Sequence, residues 1–311
     1  MNVTIIGVPL DLGAENLGVD DGPRAFRAQN IVEKLTNAGM NVSDAGDITC
    51  QPRETIDPGN QQMRYLAEIV RVSEEVATIS EALTTKNEKI IALGGDHSIN
   101  LGVVSGASKA LNGDLGLIYL DAHGDMNTSE TTMSGNIHGM HLASLMGFGA
   151  SELANVHGAQ IKIAKENLLH IGGSDFDKPE LELIKSENLA AFTLNDLLLH
   201  GMAPLITMID ELSQKVSNIW VSLDLDVIDM IYAPGAGMPN RRGLTYREIA
   251  AIAEYIGTKC NVVGIDVVEY NPRQDVNNKT AELGIELIAK FLGKDYSWYT
   301  SYYMAHNKLK R

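Results

Sequence analysis

The chain has 311 residues, and 44% of them are hydrophobic, which is enough for an extended buried core. Its formal net charge of −15 argues against nucleic acid or anionic membrane as a partner and is compatible with a cation or a cationic small molecule. No apolar run approaches the roughly 18 residues of a membrane helix, and no basic signal-peptide region precedes the first apolar run, so we expect a soluble, cytoplasmic protein. Cys50 and Cys260 have no zinc-like spacing, and we expect reduced thiols.

The predicted elements alternate between short apolar runs and longer amphipathic ones, which is typical of βαβ units and a mainly parallel sheet. In chain order, we predict strands at residues 3–8, 89–93, 115–120, 167–172, 190–194, 219–223 and 261–268. Apolar residues at steps of three and four predict helices at residues 23–37, 63–83, 99–110, 245–257 and 277–292. No repeat or composition break marks a boundary, so we expect one domain over residues 1–311. The aromatic and then basic stretch 294–311 is either a docking tail or a surface tail.

Polar residues follow four of the predicted strands at the same position, just after the apolar run ends. An isolated aspartate there is usually a helix cap or a turn residue. The repetition is more informative, because the carboxyl ends of parallel strands form one crevice in an open α/β sheet. We therefore expect one site built from His97, Asp121, His123, Asp125, Asp224, Asp226 and Glu269.

The chemistry of this set predicts a metal centre. Asp121, His123 and Asp125 alternate along the chain, as do Asp224 and Asp226, so in extended backbone each group would project to one side. Carboxylates with two imidazoles and no thiolate favour Mn²⁺, with Mg²⁺, Fe²⁺ or Co²⁺ as alternatives. Two divalent ions would balance four aspartates and activate a water molecule, which indicates metal-assisted hydrolysis.

Several ordered motifs are similar to those of the ureohydrolase family, which contains arginases, agmatinases and formimidoylglutamases. They are "GGDHS" (94–98), "DAHGDMN" (121–127), "SGNIHGM" (134–140) and "SLDLDVID" (222–229), with further matches at 18–27, 243–248, 268–272 and 278–281. The chain most resembles the bacterial-type, arginine-hydrolysing branch. The resemblance implies a doubly wound three-layer α/β/α fold with a mainly parallel central sheet, two Mn²⁺ ions per subunit, and a homo-oligomer, either a trimer or a hexamer.

The resemblance also implies roles for individual residues. One ion would be held by His97, Asp121, Asp125 and Asp224, and the other by Asp121, His123, Asp224 and Asp226. His138 matches the family's proton-shuttling histidine, and Glu269 matches the carboxylate that orients the guanidinium group. Asp125 would hold a hydrogen bond of the nucleophile.

Further matches imply the substrate. Asn127, Thr132, Ser134 and Asn136 fall where the arginine-hydrolysing branch binds an α-carboxylate, Asp177 falls where it binds the α-amino group, and Glu180 is a matching acidic position. We therefore expect hydrolysis of L-arginine to L-ornithine and urea. An agmatinase or another ureohydrolase with a guanidino or formimino substrate is the alternative, and a metal-binding homologue without activity is the non-enzymatic one.

The chain departs from the family pattern at Met230, Met238 and His141. Members commonly carry proline at the first and third of these positions and threonine at the second. These departures put substrate choice and turnover in doubt more than metal binding, because every expected ligand is present.

Overall fold

The computed structural model describes residues 1–296, in which eight parallel β-strands form one sheet. The strands are β1 (Asn2–Val8), β2 (Asn41–Asp47), β3 (Lys89–Gly94), β4 (Gly116–Leu120), β5 (Leu168–Gly172), β6 (Ala190–Thr193), β7 (Ile219–Asp224) and β8 (Val262–Val268). Their order across the sheet is β2-β1-β3-β8-β7-β4-β5-β6, with every neighbouring pair parallel. The predicted parallel sheet is confirmed.

Within the same residues, α-helices connect the strands. They are α1 (Gly22–Ala28), α2 (Ile31–Asn37), α3 (Leu66–Thr85), α4 (Asn100–Ala110), α5 (His141–Leu145), α6 (Ser151–Ala154), α7 (Lys178–Glu187), α8 (Leu194–His200), α9 (Ala203–Lys215), α10 (Tyr246–Lys259) and α11 (Lys279–Phe291). None of the helices within residues 1–296 has the length and apolar character of a membrane span.

The helices cover both faces of the sheet. Along β3, Ile91 and Leu93 belong to one hydrophobic core, and Ile90 and Ala92 belong to the other, because successive strand residues point to opposite faces. The first core also contains residues of α1, α2 and α8 to α11, and the second contains residues of α3 to α6. Two cores with a shared sheet between them confirm the three-layer α/β/α fold.

Some predicted boundaries are wrong. Strand β2 was not predicted, because "NVSDAGD" is polar and mostly exposed at the edge of the sheet. The helix predicted at 23–37 is two helices, since Asn30 adopts a left-handed backbone with φ of 57° between α1 and α2. The tail at 294–311 lies outside the described residues from residue 297 onward, and the single domain over residues 1–311 stays a prediction.

The sheet order explains where a site can form. The four strands followed by polar motifs, β3, β8, β7 and β4, are adjacent in the middle of the sheet although they are far apart in the chain. Because they are parallel, their carboxyl ends meet at one edge, which we call the carboxyl edge.

Candidate active site

Two of the central four strands, β3 and β7, deliver their polar residues to the carboxyl edge through short 3₁₀ turns. After β3, the 3₁₀ turn His97–Ile99 begins at Asp96, whose Oδ1 accepts the Ser98 N–H at 2.9 Å. After β7, the 3₁₀ turn Leu225–Val227 begins at Asp224, whose Oδ1 accepts the Asp226 N–H at 2.8 Å. These N-terminal caps fix the direction in which His97 and Asp226 leave the sheet.

The expectation of extended backbone at the motifs is wrong. Asp125 adopts φ of 51° and Asp226 lies within a 3₁₀ turn, so alternation along a strand is not what aligns the side chains. Glu269, directly after β8, also adopts a left-handed backbone with φ of 59°. Left-handed non-glycine residues are uncommon and often lie at functional sites.

His97 is surrounded by carboxylates. Its Nδ1 lies 3.0 Å from Asp121 Oδ2, 3.3 Å from Asp125 Oδ2 and 3.3 Å from Asp224 Oδ2. The other ring nitrogen, Nε2, lies 2.8 Å from Ser222 Oγ, which donates to the buried carboxylate of Asp266 at 2.6 Å. One imidazole proton cannot satisfy three carboxylates, so this is the arrangement expected around a cation.

His123 forms a second cluster that shares Asp121 with the first. Its Nδ1 lies 3.0 Å from Asp226 Oδ2 and 3.4 Å from Asp121 Oδ1. The two oxygens of Asp121 therefore face different histidines, as the carboxylate of a bridging ligand would. Both groups, His97 with Asp121 and Asp224, and Asp121 with His123 and Asp226, place their ligand atoms within 4.8 Å of one another.

The charge balance of these clusters fits a metal centre. Burial and the neighbouring Asp226 and Asp121 raise the pKa of Asp224 well above its usual range. Asp121 Oδ2 is buried and, although His97 Nδ1 lies 3.0 Å away, accepts no hydrogen bond from the described residues. A buried carboxylate oxygen without a donor is costly, and a bound cation would satisfy it. The donor set therefore fits divalent cations.

A third group, His97 with Asp125 and His141, also has metal-like spacing, but a tyrosine hydroxyl already occupies its centre. Tyr119 Oη donates to Asp125 Oδ2 at 2.7 Å and lies 3.0 Å from His97 Nδ1 and 3.3 Å from His141 Nε2. Burial raises the pKa of Tyr119 well above its usual range, so the hydroxyl is a neutral donor. We interpret the hydrogen bond from Tyr119 as a brace behind Asp125, and we do not interpret this group as a metal site.

His141, one of the departures from the family pattern, lies beside this hydrogen bond. It is fully buried at the start of α5, and its Nδ1 lies 2.6 Å from the carbonyl oxygen of His138. Burial and the charge of His97 lower the pKa of His141 to about 3, so the ring is neutral and Nδ1–H is the donor. The replacement thus places a neutral ring between the loop of His138 and Tyr119, with its unprotonated Nε2 3.3 Å from Tyr119 Oη.

His138 and Glu269 face each other beside the metal clusters. His138 Nδ1 lies 3.2 Å from Glu269 Oε1, which also accepts the backbone N–H of His97 at 3.0 Å. Burial opposes the charge on His138, but the hydrogen bond to Glu269 and the nearby Asp125 and Asp96 raise its pKa to about 9. The imidazole is therefore protonated at neutral pH.

A cavity of about 310 Å³ opens over the clusters, within the usual size range of small-molecule sites. His97 and Asp121 lie beneath it and are fully buried. The other predicted site residues line it, namely His123, Asp125, Asn127, Thr132, Ser134, Asn136, His138, Asp177, Glu180, Asp224, Asp226 and Glu269.

The predicted substrate residues are already connected to one another. Asn127 Nδ2 donates to Asp177 Oδ2 at 2.9 Å, and its Oδ1 accepts the Thr131 hydroxyl at 2.9 Å. Glu180 accepts the backbone N–H groups of Met126 at 3.0 Å and of Asp177 at 2.8 Å, which ties the loop after β4 to the start of α7. Glu180 thus has a structural role in addition to lining the cavity.

Residues that were not predicted also contribute to the site. In the sequence, Tyr119 looks like an ordinary residue of an apolar strand, and its hydrogen bond to Asp125 is not evident from that pattern. Asp175 and Met133 line the cavity, and so does the departure Met238, which is 42% exposed. At the departure Met230, the backbone N–H donates to the Asn240 carbonyl at 2.7 Å, a bond that proline could not form.

Comparisons with known proteins agree along almost the whole described chain. The model of the arginase family matches residues 1–293. The arginase of Brevibacillus brevis is 39% identical over 294 residues, which cover 94% of this chain and 98% of that protein. The arginase of Bacillus subtilis strain 168 is 36% identical over 292 residues, with the same coverage of 94% and 98%. The native structure of the arginase from Bacillus caldovelox matches with a TM-score of 0.90 at 35% identity, over 95% of this chain and 99% of that one.

Proposed function

The chain belongs to the arginase family, and from this membership we propose that it hydrolyses L-arginine to L-ornithine and urea. The observation that supports the proposal is a single cavity whose two ends have different chemistry. Its floor holds carboxylates and imidazoles in clusters that could bind a cation, and its mouth holds polar side chains suited to an amino acid head group. A cationic guanidinium and a zwitterionic head group on one substrate match these two ends.

We propose that two Mn²⁺ ions per subunit occupy the clusters. His97, Asp121, Asp125 and Asp224 would hold one ion, and Asp121, His123, Asp224 and Asp226 would hold the other. The opposite directions of the Asp121 oxygens support its shared role, whereas a shared role for Asp224 rests on the family resemblance. When bound, the ions supply Lewis-acid activation of water and compensate the buried carboxylates.

Around that centre, the protein's own residues bind and orient the reacting groups. With Oε1 already engaged by His97 N–H and His138, Glu269 would use Oε2 to accept a guanidinium N–H. Asp125 would orient the attacking water through Oδ1, because Oδ2 accepts the Tyr119 hydroxyl. As the bond from the guanidinium carbon to the δ-nitrogen breaks, protonated His138 would donate a proton to that nitrogen, which leaves as the side-chain amine of ornithine.

The cavity mouth would select the head group. Asp177 would accept hydrogen bonds from the α-ammonium group. Asn127 would donate its second amide proton to the α-carboxylate, since the first is donated to Asp177. Thr132, Ser134 and Asn136 would bind the α-carboxylate. Glu180 would hold the loop after β4 at a fixed distance from the start of α7, and it would line the cavity that binds the substrate.

A substrate panel tests the proposal. After loading with Mn²⁺, we expect urea release from L-arginine and much slower reaction with agmatine and guanidinobutyrate, with formimidoylglutamate included for the other family branch. Preferred hydrolysis of agmatine would assign the agmatinase alternative. Bound metal without reaction on any of the four compounds would favour a metal-binding homologue without activity.

We also propose that the enzyme is a cytoplasmic homo-oligomer, either a trimer or a hexamer, on the family resemblance alone. Light scattering on the purified protein distinguishes these states from a monomer.

A further inference from the structure

The loop at residues 132–136 uses its hydrogen-bond acceptors internally and keeps its donors for the cavity. Thr132 Oγ1 accepts the Gly135 N–H at 3.0 Å, and Ser134 Oγ accepts the Asn136 N–H at 3.2 Å. A hydroxyl that accepts a backbone N–H still has its own proton to donate. Thr132 and Ser134 both line the cavity, so the loop offers hydroxyl protons to a bound anion.

The orientation of the Asn136 amide is set by Arg64, a residue with no assigned role. The Arg64 guanidinium donates to Asn136 Oδ1 and to Glu15 Oε1. A guanidinium carries donors and no acceptors, so the amide oxygen must face it and the Nδ2 group must point away. Asn136 lines the cavity, so its amide protons join the hydroxyl protons of the loop.

The backbone fixes Arg64 against the same loop. Its N–H donates to the Gly135 carbonyl at 3.0 Å. Gly135 has φ of +74°, and a Cβ there would lie 1.8 Å from the Gln61 carbonyl oxygen, so the segment at 61–64 and the loop fit together closely. Arg64 is also shielded, with 19% of its side chain exposed.

We infer that Arg64 is a positioning residue for carboxylate recognition: it holds Asn136 so that the amide donates to the substrate's α-carboxylate, and it places positive charge behind that contact. The inference rests on the proposed function and extends it, because it names what separates arginine from its decarboxylated analogue. Without Arg64 the amide of Asn136 is free to turn and present its oxygen, which repels a carboxylate.

Arg64→Met tests the inference, since it keeps a long apolar stem and removes the donors and the charge. We expect KM for L-arginine to rise about 10-fold, as for loss of a hydrogen bond to a charged group, with kcat changed less than about 2-fold. Calorimetry should give a parallel loss in affinity for L-ornithine and little change in affinity for agmatine, which lacks the carboxylate. Arg64→Lys should recover part of the loss.

Glu15→Gln is the matched control, because it removes the negative charge that pairs with Arg64, keeps an oxygen that can accept from the guanidinium and does not touch the loop. It should change KM for L-arginine less than about 2-fold. Equal losses for ornithine and agmatine in Arg64→Met, or no loss for ornithine, would overturn the inference. If Arg64→Met fails to fold, Arg64→Lys decides instead: it should weaken ornithine binding more than agmatine binding, and equal changes for the two ligands would overturn the inference. Absence of arginine hydrolysis by the wild type refutes the proposed function instead, whereas ornithine binding still decides the role of Arg64.

Discussion

At the scale of single residues, Asp125 shows how the site is held from behind. Its left-handed backbone turns the chain sharply after His123, and Oδ2 is fixed by the Tyr119 hydroxyl. A carboxylate that is both a proposed metal ligand and a proposed orienting group needs a fixed direction, because small misplacements reduce rates strongly. Tyr119 supplies that direction from a buried strand position.

Replacing Tyr119 with phenylalanine should therefore reduce activity without unfolding the protein. We expect kcat or Mn²⁺ affinity to fall about 10-fold, the lower end of the usual effect of outer residues on metal sites. Metal analysis and steady-state kinetics on the loaded protein measure both quantities. Tyr255→Phe removes a matched 2.7 Å hydroxyl bond to Asp210 far from the carboxyl edge, and it should change neither.

His138 allows a separate test, because within residues 1–296 its side chain forms a hydrogen bond with Glu269 and none with a proposed metal ligand. His138→Asn should lower kcat at least about 10-fold, since a positioned general acid commonly contributes this much or more. Metal content should stay at the wild-type level. Undiminished turnover would remove His138 from the mechanism, and loss of metal would show that its role is structural.

At the scale of elements, the sequence predicts what is both buried and periodic. Strand β8 and helix α10 have strong apolar patterns, and their predicted spans agree closely with the structure. Strand β2 has no such pattern, because an edge strand with an exposed polar sequence is stabilised by pairing with β1 and not by burial. Helix α9 is absent from the predicted helices, although Leu205, Ile209 and Leu212 have helical spacing in the sequence and form a buried stripe.

The candidate site was predictable in its residues but not in its geometry. Strand ends followed by Asp and His identified the groups that converge, because parallel topology alone brings those ends together. The left-handed backbone of Asp125 and the hydrogen bond from Tyr119 to Asp125 are not visible in the sequence pattern, and the Asp125 carbonyl also accepts the Leu142 N–H of α5 at 3.2 Å. Arg64 could not be identified, since its partner Asn136 is 72 residues away.

The start of α7 links an ordinary helix cap to the site. Glu180 accepts the Asp177 N–H at 2.8 Å, as Glu248 accepts the Thr245 N–H at 2.7 Å at the start of α10. Glu180 alone of these two also holds the Met126 N–H. The two helices thus have similar caps and different connections to the cavity.

Glu180→Ala and Glu248→Ala should therefore each destabilise the protein by about 1 kcal/mol or more, the typical loss of a cap, because each removes the carboxylate that accepts the N-cap backbone N–H. Thermal unfolding measures that comparison. Turnover of L-arginine should fall in Glu180→Ala and remain normal in Glu248→Ala, because only the first removes the acceptor of the Met126 N–H and so frees the loop after β4. Equal activity in the two variants would contradict a role for Glu180 in positioning that loop.

At the scale of the whole molecule, the crowded carboxylates couple folding to cation binding. Four buried aspartates repel one another in the folded chain, whereas they separate when it unfolds. A ligand whose free concentration is 100 times its dissociation constant stabilises the folded state by about 2.7 kcal/mol. Bound metal should therefore stabilise the folded state in addition to its role in the reaction.

Chelation of divalent metal should lower Tm by about 5 °C or more, from that stabilisation and the usual shift per kcal/mol for large domains. Calorimetric scans with Mn²⁺ and with a chelator measure the difference. Asp121→Asn should shrink the Mn²⁺-dependent part of Tm, because Asp121 belongs to both clusters. An identical Tm with and without metal would argue against these clusters as the metal centre.

The sheet order has a further consequence for how the molecule is made. Strand β8 is the last strand in the chain within residues 1–296, yet it pairs with β3 on one side and with β7 on the other. A ribosome must therefore release residue 268 before the half-sheet β2-β1-β3 can join the half-sheet β7-β4-β5-β6. Until then, the β3 edge of one half-sheet and the β7 edge of the other lack their β8 partner, and unpaired strand edges are prone to mispairing. The catalytic pocket, which spans this seam, is completed last, so a nascent chain has no activity until its fold closes.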